Sequence, residues 1–284
     1  MTSKSHVIAS DTARLRVRVA ENDGQPTLLL HGGPGGTDYL YKFFALQLRD
    51  AGRRPVGLIQ RGSPGSPSSG PFTVDAFIED IETIRRELDF DTIGIIGHSW
   101  GGLLGTLYAS HYPNKVEELH LICPIGARRG WQKEFDQTIQ SRLSEGDVAA
   151  IDHYLEKAAE ATTPEERAKH MFQVQNIRVF AYYSPTHREG QPGLAHLEWR
   201  VREQIMRDLR HWYDDSTWEH GLGNLHAHSS VIWGADDPVP DHVAEEFAEM
   251  LPDPLIIKME NCGHFPWMEE PAKFAAAFER VLGQ

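Results

Sequence analysis

Gly97-His98-Ser99-Trp100-Gly101 has the G-x-S-x-G pattern, preceded by the apolar run "IGIIG" (93 to 97) and followed by a helical run from Trp100 to Tyr112. A serine set in so sharp a strand-to-helix turn needs small neighbours two residues to either side, and the turn lifts its hydroxyl beside a helix N-terminus. The bland alternative is a glycine-rich turn with a bystander serine. A serine hydroxyl is a poor nucleophile until a base takes its proton, so a histidine held by a carboxylate should accompany it. "VIWGADDPVP" offers Asp236 and Asp237 just past a strand, and "NCGHFPWMEEP" offers His264 just past the last one. With fifteen histidines in the chain, a loop histidine of no special role competes with the base reading. What favours His264 is its place at the carboxyl end of a strand, where open α/β sheets gather their sites.

The elements that would position these residues are legible by period. "RLRVRV" (14 to 19) alternates like a half-exposed edge strand, while "TLLL" (27 to 30), "VGLI" (56 to 59) and "IGIIG" are continuous apolar runs of buried-strand type. Val74, Phe77, Ile78, Ile81, Ile84 and Leu88 recur at helical spacing, and "ELHLIC" (118 to 123) reads as another strand. Alternating strands and helices imply crossovers and a mostly parallel sheet covered on both faces. Residues 125–225 read instead as amphipathic helices, with Asp147 and Pro164 as start signals. The strand-helix rhythm resumes at "SSVIWG" (229 to 234), a helix over 241–250, "PLIIKM" (254 to 259) and a last helix over 271–282. This gives one α/β core, 1–124 and 226–284, interrupted by a helical insert, 125–225.

Composition narrows the partners. The formal charge of -13, from 28 basic and 41 acidic residues, argues against nucleic acid, which requires clustered Lys and Arg. Cys123 and Cys262 are the only cysteines and offer neither a disulfide framework nor a CxxC motif, so a reducing cytoplasm fits. "MTSKSHVIASDT" has no apolar core of a secretory signal. Thr92 to Asn114 carries no Asp, Glu, Lys or Arg, but its five glycines break it into strand, turn and helix, not a membrane span. The doublet His226-x-His228 invites a metal reading, yet no further ligand group stands beside it, and no metal or other cofactor is expected.

The chain resembles the α/β-hydrolase superfamily and, within it, the proline iminopeptidase group of serine peptidases. The likeness rests on "HGGPGG" (31 to 36), "QRG" (60 to 62), "GHSWGG" (97 to 102), "GADDPVP" (234 to 240) and "CGHFPWMEEP" (262 to 271). It implies Ser99 as nucleophile, Asp237 as the acid in place of Asp236, and His264 as base, in the chain order of such triads. It also makes the insert a cap. An oxyanion hole would be formed by the N–H groups of Trp100 and, in the glycine loop, Gly33; Pro34 has none to offer.

Two departures bear on the substrate, expected to be a short peptide or amino-acid amide, with a small apolar ester or lactone as the alternative. A lyase, isomerase or binding protein on the same fold is a further one. Ile59 stands where the family often has an acid before "QRG", and "QRGSPGS" displaces the second glycine by one. An aminopeptidase must hold a free amine with carboxylates; Glu198, Glu203, Asp208 and Glu219 are the insert's candidates, with Glu198 of "HLEWR" placed nearest a family cap glutamate. The aromatics Trp131, Tyr182, Tyr183, Trp199, Trp212, Tyr213 and Trp218 either pack the insert on the core or line an acyl pocket.

Overall fold

A computed structural model describes residues 2–283. Its eight strands, β1 (Ser3–Ser10), β2 (Ala13–Ala20), β3 (Gln25–Leu30), β4 (Arg53–Ile59), β5 (Ile93–His98), β6 (Val116–Ile122), β7 (His228–Gly234) and β8 (Leu255–Met259), form one sheet. The order is β1-β2-β4-β3-β5-β6-β7-β8. From β4 to β8 every pairing is parallel, and only β1–β2 and β2–β4 are antiparallel. The expected mostly parallel sheet is therefore present.

Burial follows the pairing. Every residue of β5 is buried, as a central strand covered on both faces requires, whereas β2 alternates buried and exposed. That alternation suggested an edge. The structure corrects it: β2 lies between β4 and β1, and the polar β1, which sequence patterning passed over, takes the edge beside it.

Around the sheet, α1 (Leu40–Asp50) and α11 (Pro271–Leu282) meet through Phe44, whose ring lies 5.5 Å from that of Phe274. Helices α2 (Val74–Glu87) and α3 (Trp100–His111) meet through Phe77 and Trp100, 5.8 Å apart. Between β6 and β7 the chain runs through α4 (Trp131–Arg142), α5 (Glu145–Glu160), α6 (Pro164–Arg178), α7 (Trp199–Asp214) and the short α8 (Glu219–Leu222), with no strand. The start signals are used as chemistry dictates. Ser144 and Asp147 make a reciprocal capping box on α5, and Thr163 caps α6 ahead of Pro164. Helix α9 (Asp241–Met250) follows β7, and the single turn α10 (Pro266–Glu269) precedes α11. Among the described residues no helix is long and apolar enough to cross a membrane.

Candidate active site

Ser99 sits between β5 and α3 at φ 57° and ψ −121°, a left-handed conformation that a serine adopts only under constraint from its surroundings. The flanking glycines allow the turn. A Cβ on Gly97 would stand 2.3 Å from the Gly101 carbonyl oxygen, and one on Gly101 would stand 2.0 Å from that of Leu30. Neither position admits a side chain.

Past β7 the adjacent aspartates divide their work. Asp237 Oδ2 accepts a hydrogen bond from His264 Nδ1 at 2.8 Å, and its Oδ1 accepts from the Val239 N–H. Asp236 turns away, accepting from the Ser184 hydroxyl at 2.6 Å. With Nδ1–H directed to Asp237, Nε2 of His264 is the basic nitrogen, and among the described residues it has no hydrogen-bond partner. The His264 loop is itself held firmly. Buried Glu269 accepts from the N–H groups of Gly263 and Phe265 on either side of the histidine, and from that of Ser184 in the helical insert. The His264 N–H donates to the Tyr182 carbonyl.

The glycine loop after β3 completes the arrangement. Gly32 donates its N–H to the Tyr39 hydroxyl at 2.9 Å, whereas the N–H groups of Gly33 and Trp100 find no acceptor among the described residues. Gly33 is at φ +58° and has nothing within 4 Å of where a Cβ would stand. Two polar chains fix this loop. Tyr39 hydrogen-bonds His98 Nδ1, and His98 Nε2 reaches the His264 carbonyl at 2.8 Å. Gln60 donates to the His31 carbonyl at 2.9 Å and accepts from the Trp100 indole at 3.0 Å. Burial holds both His98 and His31 below the ordinary imidazole range, His31 at about 4, so both rings are neutral near pH 7.

Gly33, Ser99, Trp100 and His264 all line one cavity of about 490 Å³. Its walls are largely apolar and aromatic, including Trp131, Phe135, Tyr182, Tyr183, Phe265 and Trp267, in keeping with a small-molecule site. Tyr182 stands edge-on to the His264 ring with centroids 5.5 Å apart.

The insert's four candidate carboxylates are not among the lining residues. Asp208 caps α2 through the Val74 N–H, Glu203 pairs with Arg167, and Glu219 pairs bidentately with Arg128. Glu198 stands at the start of α7, its N–H donating to the Gly35 carbonyl. Of the expected aromatics, Trp131, Tyr182 and Tyr183 line the cavity, while Trp212, Tyr213 and Trp218 pack on the core.

His226 and His228 are both exposed and join no group of potential metal ligands. Among the described residues the one such group is Cys123, Asp237 and His264. It does not suit a metal, because the aspartate and histidine already bind each other. In addition, burial and the neighbouring Asp237 push the Cys123 thiol well up, away from the thiolate a metal would need.

Sequence reasoning missed Gln60 and Glu269 as individual residues. Each acts on backbone groups of segments distant in the chain, and only the surrounding motifs "QRG" and "WMEEP" marked their neighbourhoods.

Known proteins share this architecture. A family model for the alpha/beta hydrolase fold matches residues 25–271. A proline iminopeptidase of Lactobacillus delbrueckii subsp. bulgaricus is 28% identical over 269 residues, covering 89% of this chain and 88% of its own. The crystal structure of VinJ superposes with a TM-score of 0.71 at 22% identity, over 99% of this chain and 98% of that one. A proline iminopeptidase structure from Mycobacterium smegmatis does so with a TM-score of 0.67 at 21% identity, over the same shares. At such identities the two structures speak to fold alone.

Proposed function

Because this chain belongs to the α/β-hydrolase fold family, we propose that it is a serine hydrolase working through an acyl-enzyme on Ser99. The observation that carries this reading is that Ser99, the free Nε2 of an Asp237-bound His264 and two uncommitted backbone N–H groups open on one cavity. His264 takes the serine proton as Oγ attacks the carbonyl carbon, and Asp237 holds the ring in the required tautomer and stabilises the imidazolium. The N–H groups of Gly33 and Trp100 receive the oxyanion, each worth about 3 kcal/mol in the transition state. His264 then returns the proton to the leaving group, and water repeats the sequence to release the acid. Residues 125–225 act as the cap that shapes the acyl pocket, on a core of 1–124 and 226–284.

The relatives named as proline iminopeptidases bring a first substrate reading: an N-terminal proline, or another small residue, on a short peptide or amide. A small ester or lactone is the second. It is favoured by the lining, whose single carboxylate, Asp136, is already bound to Arg178 at 2.5 Å and is not free to hold an amine.

A fluorophosphonate should label the wild type and leave Ser99→Ala unlabelled, with kcat falling by about 10⁴-fold or more; an unlabelled wild type overturns the serine-hydrolase reading. Proline p-nitroanilide compared with p-nitrophenyl butyrate and a lactone panel then separates the substrates. Loss of only the anilide activity in Glu198→Gln supports amine recognition beside the Gly35 turn, and equal effects on all substrates favour the ester reading.

A further inference from the structure

Four side chains that carry charge at neutral pH line the cavity, and three of them are cationic: Lys42, Arg178 and Arg202, against Asp136. This inverts the sign of the whole chain, whose formal charge is -13. Lys42 is exposed, and Arg178 is occupied by Asp136. Arg202 is different. It is half-buried, and desolvation lowers its pKa from the ordinary guanidinium value. Among the described residues it forms no ion pair, and its guanidinium meets no hydrogen-bond acceptor. Of its charged neighbours, Arg178 opposes its charge, while Asp136 favours it. A half-buried guanidinium on a cavity wall with no protein partner keeps its five N–H donors available to an acceptor that enters the cavity.

Arg202 is also held in place. Helix α7 buries Val201, Ile205 and Leu209 completely, and its Asp208 caps α2. Arg202 and Met206, one turn apart on the same helix, are its two cavity-lining residues. Tyr182, which lines the same cavity as Arg202, is the ring standing edge-on to His264. The unpaired guanidinium thus shares a wall with the base.

We propose that Arg202 is a recognition site for a free carboxylate on the substrate, so that this hydrolase selects esters or amides carrying an acid group besides the bond it cleaves. The inference rests on acyl transfer at Ser99. A guanidinium suits a carboxylate because its planar fork donates two parallel hydrogen bonds, and a half-buried pair is stronger than the same pair in water. The carboxylate can belong to the acyl half, as in a hemiester of a dicarboxylic acid, or to the leaving half, as in the C-terminus of a dipeptide.

The test compares kcat/KM for matched pairs: p-nitrophenyl hemiglutarate with its methyl-capped diester, and prolyl dipeptides with their C-terminal amides. In the wild type the acid member of one pair should be favoured by about 100-fold, because a site built to bind a polar group rejects the analogue that leaves it unpaired. Which pair shows the preference identifies the half that carries the acid. Arg202→Gln should bring that ratio close to one, and Arg202→Lys, which keeps the charge but loses the fork, should fall between. A wild-type ratio at or below one on both arms overturns the proposal, as does a ratio unchanged in Arg202→Gln. Labelling of Ser99 by a neutral fluorophosphonate separates the two readings: labelling without an acid preference removes the carboxylate site alone, and absence of labelling removes the hydrolase reading beneath it. Should Arg202→Gln fail to fold, the wild-type ratios and Arg202→Lys decide.

Discussion

Gln60 joins the two halves of the proposed oxyanion hole, since one amide group binds both the His31 carbonyl at the start of the glycine loop and the Trp100 indole. Gln60→Ala should therefore lower kcat by about 10- to 100-fold with little change in KM, because the donors are misaligned where charge develops and not where the ground state binds. Steady-state kinetics on an ester substrate check this, and a rise in KM alone would contradict it. Glu269 makes a second case. Replacing it with alanine orphans three N–H groups, two of them fully buried, and should cost about 3 kcal/mol or more in urea unfolding. Ser99 was legible because its turn demands glycines at fixed distances, a constraint written in local sequence. The choice between Asp236 and Asp237 was legible only through the family resemblance, not from the residues themselves, since the placement of Ser184 and His264 decides which carboxylate faces which partner.

Among elements, α7 and α2 depend on each other, because Asp208 supplies an acceptor for the first N–H of α2. Asp208→Ala should destabilise the fold by about 1 kcal/mol, in line with the loss of a helix cap, as measured by the unfolding midpoint at unchanged m-value. Beside it, Arg61 and Asp80 form a bidentate ion pair with both contacts at 2.6 Å and side chains 2% and 3% exposed. Arg61→Met alone should cost about 3–5 kcal/mol by stranding the aspartate, while replacing both with apolar residues should recover most of that loss. The central strands were legible as continuous apolar runs. Strand β1 was not, because "SKSHVIAS" is mostly exposed and is extended by its full register against β2, a pairing no local pattern encodes. Helix α1 lacked a start signal: Tyr39 gives it no side-chain cap, and its hydroxyl is directed to Gly32 and His98.

Across the whole molecule, buried titratable groups set opposing responses to pH. His31 is neutral in the fold, with its pKa lowered from 6.5 to about 4, so between those values the unfolded chain binds more protons and stability falls as pH falls. His98, also depressed by burial, acts in the same direction. Asp38 acts oppositely. Burial raises its pKa from 3.8 to about 6, so in that window the fold holds the extra proton and stability declines as pH rises. Asp38→Asn should therefore steepen the loss of stability on acidification between about pH 6 and 4, by up to roughly 1.4 kcal/mol per pH unit. Urea midpoints across that range check the slope, and an unchanged slope would contradict the assignment.

The bonds that join the insert to the base loop have a mechanical consequence. The carbonyl of Tyr182 and the N–H of Ser184 are fastened, directly and through Glu269, to the backbone that carries His264. Lifting that edge of the insert away from the sheet would pull on the backbone that carries the imidazole and shift it relative to Ser99 across the cavity. Under the proposed mechanism, any such gap would separate base from nucleophile as it opened, and solvent flooding in would meet a serine with no partner to accept its proton.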